Sequence, residues 1–301
     1  MNHAIELRSV TRTFRDTRAL DDVGLSIPTG AICGLLGRNG AGKTTMMSLV
    51  AGHDRPSRGE VLVHGEEPFE NASVLSGISF VRDNQRYPDD YYLQHVLRIA
   101  PSFAPRWDAD LAAELVARFR LPEGTPVKKY SRGQLSGVAI VLGLASRAPV
   151  TLLDEPYLGL DASARTLFHE ILVRDVGEAP RTVLLSTHLI DESESLFSHV
   201  VLMDRGRIVV QTDADEARQL ATCVTGLADA VEAFCRGREV LRAHAVAGLR
   251  AVTVAGPVDD DARSLAADLN VRIKGASLQE LAIAHGSGDA LENSPKEGVS
   301  A

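Results

Sequence analysis

The stretch AICGLLGRNGAGKTTMMSLVAG, residues 31–52, decides the fold. Residues 31–36 form a continuous apolar run, which is typical of a strand buried in a parallel sheet. Residues 37–44, GRNGAGKT, match the pattern G-x-x-x-x-G-K-[ST], and helix-like apolar residues follow. A glycine-rich turn between a strand and a helix lets backbone amides surround phosphate oxygens. We therefore predict a P-loop, in which Lys43 reaches the β- and γ-phosphates and Thr44 offers its hydroxyl to Mg²⁺.

Two later apolar runs end in residues suited to cleaving a triphosphate. The first, VTLLDEP at 150–156, carries Asp154 to hold Mg²⁺ through water and Glu155 to polarise an attacking water. The second, TVLLSTH at 182–188, ends in His188, which can donate to a γ-phosphate. Taken singly, these residues could equally be a solvated acidic turn and a surface histidine. Their position after a P-loop favours a nucleotide site.

A second helix start with an affinity for anions lies in KYSRGQLSG, residues 129–137. Ser131 and Gln134 have the S-x-x-Q spacing of a capping box, and an apolar helical run follows. The first amides of a helix have no partner and its dipole is positive there, so this loop is also predicted to face phosphate.

Composition excludes several classes of protein. The chain has 301 residues, a net charge of −8 and three cysteines without metal spacing, which argues against nucleic-acid binding and a disulfide framework. The start, MNHAIELRSVTRTF, has no apolar signal-peptide core, and no run of about 18 apolar residues occurs. We expect a protein of a reducing cytosol that reaches a membrane only through a partner.

Periodicity along the chain predicts a doubly wound α/β core preceded by antiparallel strands. Strands separated by helices indicate the core, and apolar residues at 3–4 spacing indicate an inserted helical lobe. AVTVAG, DDDARSLAADL and NVRIKG predict strand, helix and strand in a small appended α/β domain, followed by the helix SLQELAIAHG. The predicted organisation is a core domain at 1–220, the helical lobe at about 87–147, the accessory domain at 221–285, and a disordered tail at 286–301.

Together these motifs resemble an ABC-type ATPase cassette over roughly residues 4–215. The P-loop, YSRGQ at 130–134, the hydrophobic run ending in Asp-Glu, GLD at 159–161 and the final Thr-His agree with that family in order and spacing. YSRGQ resembles the family's signature loop, usually LSGGQ, and departs from it at Tyr130 and Arg132.

The resemblance implies ATP as substrate, Mg²⁺ as cofactor, and a role for each matching residue. Glu155 would be the general base, with Lys43 and His188 stabilising the γ-phosphate. Gln85 would join the magnesium ligands Thr44 and Asp154, although Asp83 stands where the family's glutamine falls. The residues expected to bind ATP are Phe14 under adenine, Gly37, Arg38, Asn39, Gly40, Ala41, Gly42, Lys43, Thr44, Thr45, and the signature residues Ser131, Gly133 and Gln134.

The family also implies partners. Two cassettes pack head to tail, so the signature loop, with Asp161 nearby, would complete the ATP site of a second copy or a related cassette. A separate transmembrane permease would hold the pair on the cytoplasmic face of the membrane. The appended domain resembles those of bacterial antibiotic and multidrug exporters, which favours export over import.

Other uses of such a cassette remain open from sequence. DNA-repair relatives carry a long coiled coil between P-loop and signature, but only 94 residues (131 − 37) separate Gly37 from Ser131. Ribosomal relatives carry two cassettes in one chain. A non-hydrolysing regulator is disfavoured by intact Glu155 and His188.

Overall fold

The computed structural model describes residues 2–82, 85–246 and 248–285. The strands are β1 (His3–Phe14), β2 (Thr17–Pro28), β3 (Ile32–Leu36), β4 (Arg58–Val63), β5 (Ile78–Val81), β6 (Val150–Asp154), β7 (Thr182–Ser186), β8 (His199–Asp204), β9 (Arg207–Asp213), β10 (Ala221–Leu227), β11 (Val240–Val246), β12 (Leu249–Ala255) and β13 (Arg272–Gly275). The helices are α1 (Lys43–Val50), α2 (Ala72–Leu75), α3 (Leu93–Ile99), α4 (Ala109–Arg118), α5 (Arg132–Ala145), α6 (Ala162–Glu178), α7 (Ile190–Ser193), α8 (Ala214–Ala217), α9 (Ala228–Cys235), α10 (Asp260–Asp268) and α11 (Leu278–His285).

A six-stranded sheet in the order β5-β6-β7-β3-β8-β9 forms the centre of the first part of the chain. The strands from β5 to β8 pair in parallel, and every residue of β6 and β7 is buried, as their apolar runs predict. In register, Ser186 lies beside both Leu35 and Asp154. The carboxyl ends of β3, β6 and β7 therefore meet at one edge of the sheet, where ligands of α/β proteins bind.

The N-terminal antiparallel region is a three-stranded sheet in the order β2-β1-β4. Its inward residues, among them Ile5 and Leu25, share one buried cluster with Leu35 of β3 and with Met46 and Met47 of α1. The P-loop helix is thus packed against apolar residues of both sheets.

The helical lobe contains α3, α4 and α5, in the region where periodicity predicts it. Asp108 begins α4 by accepting from the Leu111 amide at 2.8 Å, and its carboxylate also binds Arg147 at 2.9 Å. Arg147 in turn binds Asp175 at 2.7 Å, and the buried Arg181 pairs with the same Asp175. Burial lowers the pKa of Arg181, and the neighbouring Asp175 carboxylate raises it again only in part. This charge cluster ties α4 to α6 and to the start of β7.

The chain divides into two compact units, with the division between Gln211 and Thr212. The sequence placed the boundary after residue 220. The Gly256 amide donates to the Leu220 carbonyl oxygen at 2.9 Å, which attaches the residues just before 221 to the second unit.

The second unit is an antiparallel sheet in the order β11-β12-β10-β13, with α9 and α10 as its crossover helices. The succession βαββαβ with this strand order is a ferredoxin-like arrangement. Val224, Phe234 and Val254 are buried in its separate core. A capping box begins α11: Glu280 N donates to Ser277 Oγ at 3.1 Å and Ser277 N to Glu280 Oε2 at 2.8 Å. The predicted disordered tail at 286–301 lies outside the described residues.

Among the described residues, none of the helices has both the length and the apolar character needed to cross a bilayer.

Candidate active site

The glycine-rich turn joins the end of β3 to the start of α1, as its sequence predicts. Gly37, Gly40 and Gly42 have φ of 143°, 83° and 103°, a region that residues with a Cβ rarely adopt. A Cβ on Gly37 would collide with the Met203 carbonyl oxygen. The residues predicted to bind phosphate all lie in this turn and the helix start that follows it: Gly37, Arg38, Asn39, Gly40, Ala41, Gly42, Lys43, Thr44 and Thr45.

Lys43 lies at the base of this loop. Its Nζ donates to the carbonyl oxygens of Gly37 at 2.7 Å and Arg38 at 3.2 Å. Burial lowers the pKa of Lys43, while the carboxylates of Glu155 and Asp154 act in the opposite direction. The ammonium is thus held between its own loop and the two strand-end acids.

Thr44 and Asp154 meet at the edge of the sheet. The Thr44 hydroxyl donates to Asp154 Oδ2 at 2.7 Å, and the Asp154 side chain is buried at the end of β6. A hydroxyl and a carboxylate are hard oxygen donors, so this pair fits Mg²⁺. Among the described residues there is no group of three or more His, Cys, Asp or Glu that could hold a metal ion. One carboxylate and one hydroxyl, completed by substrate phosphates and water, is the usual arrangement for magnesium.

Glu155 and His188 form a direct pair. His188 Nδ1 lies 2.6 Å from Glu155 Oε2, and the Glu155 amide donates to Ser186 O at 3.1 Å. Glu155 itself has φ of 50°, a left-handed conformation that is strained in a residue with a long side chain. Such strain persists where surrounding structure fixes it and is common at active sites. The turn after β6 therefore aims the Glu155 carboxylate at the segment after β7.

One cavity of about 590 Å³ brings these acids together with residues of the β5 end. Thr44, Asp154 and Glu155 line it, and so does Gln85, which is one of the two residues proposed from sequence for the glutamine position. The other residue, Asp83, lies outside the described residues. His53, Phe80, Arg82 and Leu158 complete the lining. Sequence reasoning missed these four, because a turn histidine and a plain strand end carry no pattern that points to a cavity.

Phe14 lies apart from this cavity, at the end of β1. Its side chain is 44% exposed, and the Arg12 guanidinium stacks 4.4 Å from the ring centroid. An exposed aromatic ring at a strand end offers a flat surface for a base, and its role in binding adenine stays a prediction.

The signature residues form the predicted helix start. Gln134 N donates to Ser131 Oγ at 3.2 Å and Ser131 N to Gln134 Oε1 at 2.9 Å, so both bonds of the capping box are present at α5. A Cβ on Gly133 would collide with the Gly159 carbonyl oxygen, which explains why that position lacks a side chain. Tyr130, one of the departures from the family pattern, is buried and its hydroxyl donates to Pro122 O.

Ser131, Gly133 and Gln134 are not among the described residues that line the cavity. Asp161, expected near the same partner seam, begins α6 by accepting from the Ala164 amide at 2.8 Å. The chain therefore gathers P-loop, acids, Gln85 and His188 on one side and leaves the signature helix start outside.

The motifs have matching counterparts in known proteins. The family model for the ABC transporter matches residues 20–158. The ABC transporter ATP-binding protein YtrB of Bacillus subtilis is 30% identical over 215 residues, covering 71% of this chain and 74% of that protein. A Nod factor export ATP-binding protein of Cupriavidus metallidurans is 28% identical, covering 70% of this chain and 71% of that protein. A sulfate/thiosulfate import ATP-binding protein of Rhodopseudomonas palustris is 31% identical, covering 68% and 61%.

Solved structures agree with this fold. An ATP-binding subunit of an ABC transporter aligns with a TM-score of 0.65 and 24% identity, covering 71% of this chain and 92% of that chain. A dimeric post-hydrolysis ATP-binding cassette bound to ADP and Pi aligns with a TM-score of 0.59 and 22% identity, covering 70% and 98%.

The chain belongs to the family of ABC transporter ATP-binding proteins. It is an ATPase of that family, and the resemblance and the fold class inferred from the motifs are confirmed. ATP-binding subunits of this family dimerise and work with transmembrane components. Its relatives include proteins named for export and proteins named for import.

Proposed function

We propose that this chain hydrolyses ATP to power an exporter, through the closure of two cassettes on two Mg-ATP molecules. Each cassette is a copy of this chain or a related one, and closure moves a separate membrane permease. The permease holds the pair on the cytoplasmic face of the membrane, and nucleic acid has no part, in keeping with the net charge of −8.

The geometry that supports this proposal most directly is the pairing of two acids at one sheet edge. Asp154 Oδ2 accepts a hydrogen bond from the Thr44 hydroxyl at 2.7 Å, and Glu155 Oε2 lies 2.6 Å from His188 Nδ1. Consecutive residues thus serve different partners. Asp154 is committed to the metal position beside the P-loop, and Glu155 is left to act on water.

In this mechanism Glu155 is the general base. It accepts a proton from the water that attacks the γ-phosphate, since water is a poor nucleophile for an anionic centre. His188 orients that carboxylate through Nδ1, and its half-exposed ring leaves Nε2 for the γ-phosphate. Lys43, whose Nζ lies at the base of the P-loop beside the carbonyls of Gly37 and Arg38, offsets the charge of the phosphate oxygens.

Thr44, Asp154 and Gln85 would hold Mg²⁺, which when bound neutralises phosphate charge. Phe14 would stack on adenine. Ser131, Gly133 and Gln134 would present their amides to ATP held by the other cassette, which is consistent with a helix start whose capping box is complete but which does not line the chain's own cavity among the described residues.

Glu155→Gln tests the central role. The amide keeps the shape of the side chain but takes no proton, so we expect ATP binding to persist and turnover to fall by about 10²–10⁴-fold. With ATP and Mg²⁺ the variant should elute as a dimer in size-exclusion chromatography with light scattering. Glu114→Gln is the matched control, because Glu114 of α4 pairs with Arg174 of α6 at the surface. This variant should turn over normally. Normal turnover by Glu155→Gln, or a strictly monomeric variant at saturating ATP, contradicts the proposal.

Direction is tested with the permease partner. The relatives named for export and the appended second unit support outward transport. The chain and the co-purified permease should therefore move substrate into inside-out membrane vesicles when ATP is added outside. ATP-driven movement out of such vesicles would instead make the complex an importer.

A further inference from the structure

Tyr157 is a buried phenol close to the proposed base that the mechanism above does not use. It lies two residues after Glu155, is 2% exposed, and packs its ring edge-on against Phe168 at 5.4 Å and His169 at 5.5 Å. A phenol this deeply buried needs hydrogen-bond partners for its hydroxyl.

Those partners lie on both sides of His188. The Tyr157 hydroxyl is 3.1 Å from Ser193 Oγ at the end of α7, and it also interacts with the side chain of Thr187. Thr187 and Ser193 are both fully buried, whereas the His188 side chain between them is half exposed. The Tyr157 hydroxyl thus contacts one residue before His188 in the chain, Thr187, and one residue after it, Ser193.

The Thr187 hydroxyl extends this link. It accepts from the Leu189 amide at 2.9 Å, which closes a tight turn around His188. The turn brings His188 Nδ1 to 2.6 Å from Glu155 Oε2 and points its amide at the same oxygen, 3.4 Å away. The Tyr157 hydroxyl is therefore a further connection between the turn that carries Glu155 and the turn that carries His188, in addition to the Glu155–His188 pair and the bond from the Glu155 amide to Ser186 O.

We propose that Tyr157 is a positioning residue for ATP hydrolysis, whose hydroxyl holds the His188 turn so that the imidazole stays against the Glu155 carboxylate. The inference rests on the proposed function, because it assumes that Glu155 and His188 act on bound ATP. Tyr157 itself touches no substrate, so its loss changes the alignment of the catalytic pair and leaves the P-loop contacts intact.

Tyr157→Phe removes the hydroxyl and keeps the ring. A neutral hydrogen bond of this kind corresponds to a change of about two- to tenfold, so kcat for ATP hydrolysis by the full chain should fall by that factor. The KM for ATP should stay within about twofold, since adenine and phosphate contacts are made elsewhere. Ser193→Ala removes one of the two contacts of that hydroxyl, so it should lower kcat by no more than Tyr157→Phe does, and the double variant should be no slower than Tyr157→Phe alone.

Two further variants separate positioning from general stability. Ser146→Ala deletes another buried serine hydroxyl, one that donates to Gly143 O at 2.7 Å away from the site. It should lower the melting temperature as Ser193→Ala does, with kcat unchanged. In a His188→Ala background, Tyr157→Phe should have no further effect on residual turnover.

Each outcome bears on the inference. An unchanged kcat in Tyr157→Phe and Ser193→Ala overturns it, as does a kcat loss that Ser146→Ala shares or that persists undiminished without His188. The proposed function is judged separately by Glu155→Gln. If that variant is inactive while Tyr157→Phe turns over normally, only the positioning role fails.

Discussion

Gly42, the residue before Lys43, has a backbone that leaves no room for a side chain. Its φ is 103°, and an added Cβ would lie 2.6 Å from the Ala19 carbonyl oxygen and 2.9 Å from Leu20 Cδ2. Both strain and collision therefore oppose any other residue there.

We expect Gly42→Ala to lower the free energy of unfolding by about 1–3 kcal/mol and to weaken ATP binding, because the loop must move away from β2. Urea unfolding and fluorescent-nucleotide titration measure the two effects. Gly177→Ala, near the exposed end of α6 with nothing within 4 Å of its Cβ, is the control and should be neutral or slightly stabilising. Equal behaviour of the two variants would contradict this explanation.

At single positions, sequence was informative where chemistry restricts the residue type. The P-loop pattern could be predicted, and so could the meeting of Thr44 and Asp154, because both were expected to serve the same metal ion. The direct contact of Glu155 with His188 was not predicted, because each residue was expected to act separately at the γ-phosphate. The Tyr157–Ser193 bond could not be predicted, because 36 residues separate its ends and neither residue belongs to a pattern.

Among elements, helix α5 was predictable because its start is encoded locally. Ser131 and Gln134 lie three residues apart, and both expected bonds form. Helix α4 is also capped locally by Asp108, but the carboxylate's second bond, to Arg147, comes from 39 residues away. Local bonds can be inferred from spacing, whereas distant ones follow only from the packed structure.

The strands of the second unit show the same limit. AVTVAG was predicted as a strand, and its residues 251–255 lie in β12, where Val252, Thr253 and Val254 are all buried. The adjacent β10 was missed, because its first four residues are all buried and do not alternate. The edge strand β11, VLRAHAV, was also missed, although Arg242 and His244 alternate with apolar residues.

At the scale of the whole molecule, the two units have separate hydrophobic cores. Leu35 and Met46 belong to the first core, and Val224 and Phe234 to the second. All residues proposed to bind ATP lie before residue 212, so nucleotide should stabilise the first unit directly.

Phe234→Ala tests this independence. Removing a fully buried phenylalanine typically costs about 3–5 kcal/mol, so the unfolding transition of the second unit should move to lower temperature. We expect a calorimetric scan to show the first unit's transition, and its upward shift with ATP and Mg²⁺, unchanged. A matching loss of ATP affinity in the variant would show instead that the two cores depend on each other.

The contact of the Lys43 ammonium with its own loop has a consequence for the free energy of ATP binding. Because Lys43 Nζ binds the carbonyl oxygens of Gly37 and Arg38, contacts within the chain itself stabilise the curved form of the loop. The entropy lost in arranging the loop is then a cost of folding and not of association. When a triphosphate binds such a loop, less of the free energy of its contacts is lost in ordering the loop, and more remains for drawing two subunits together.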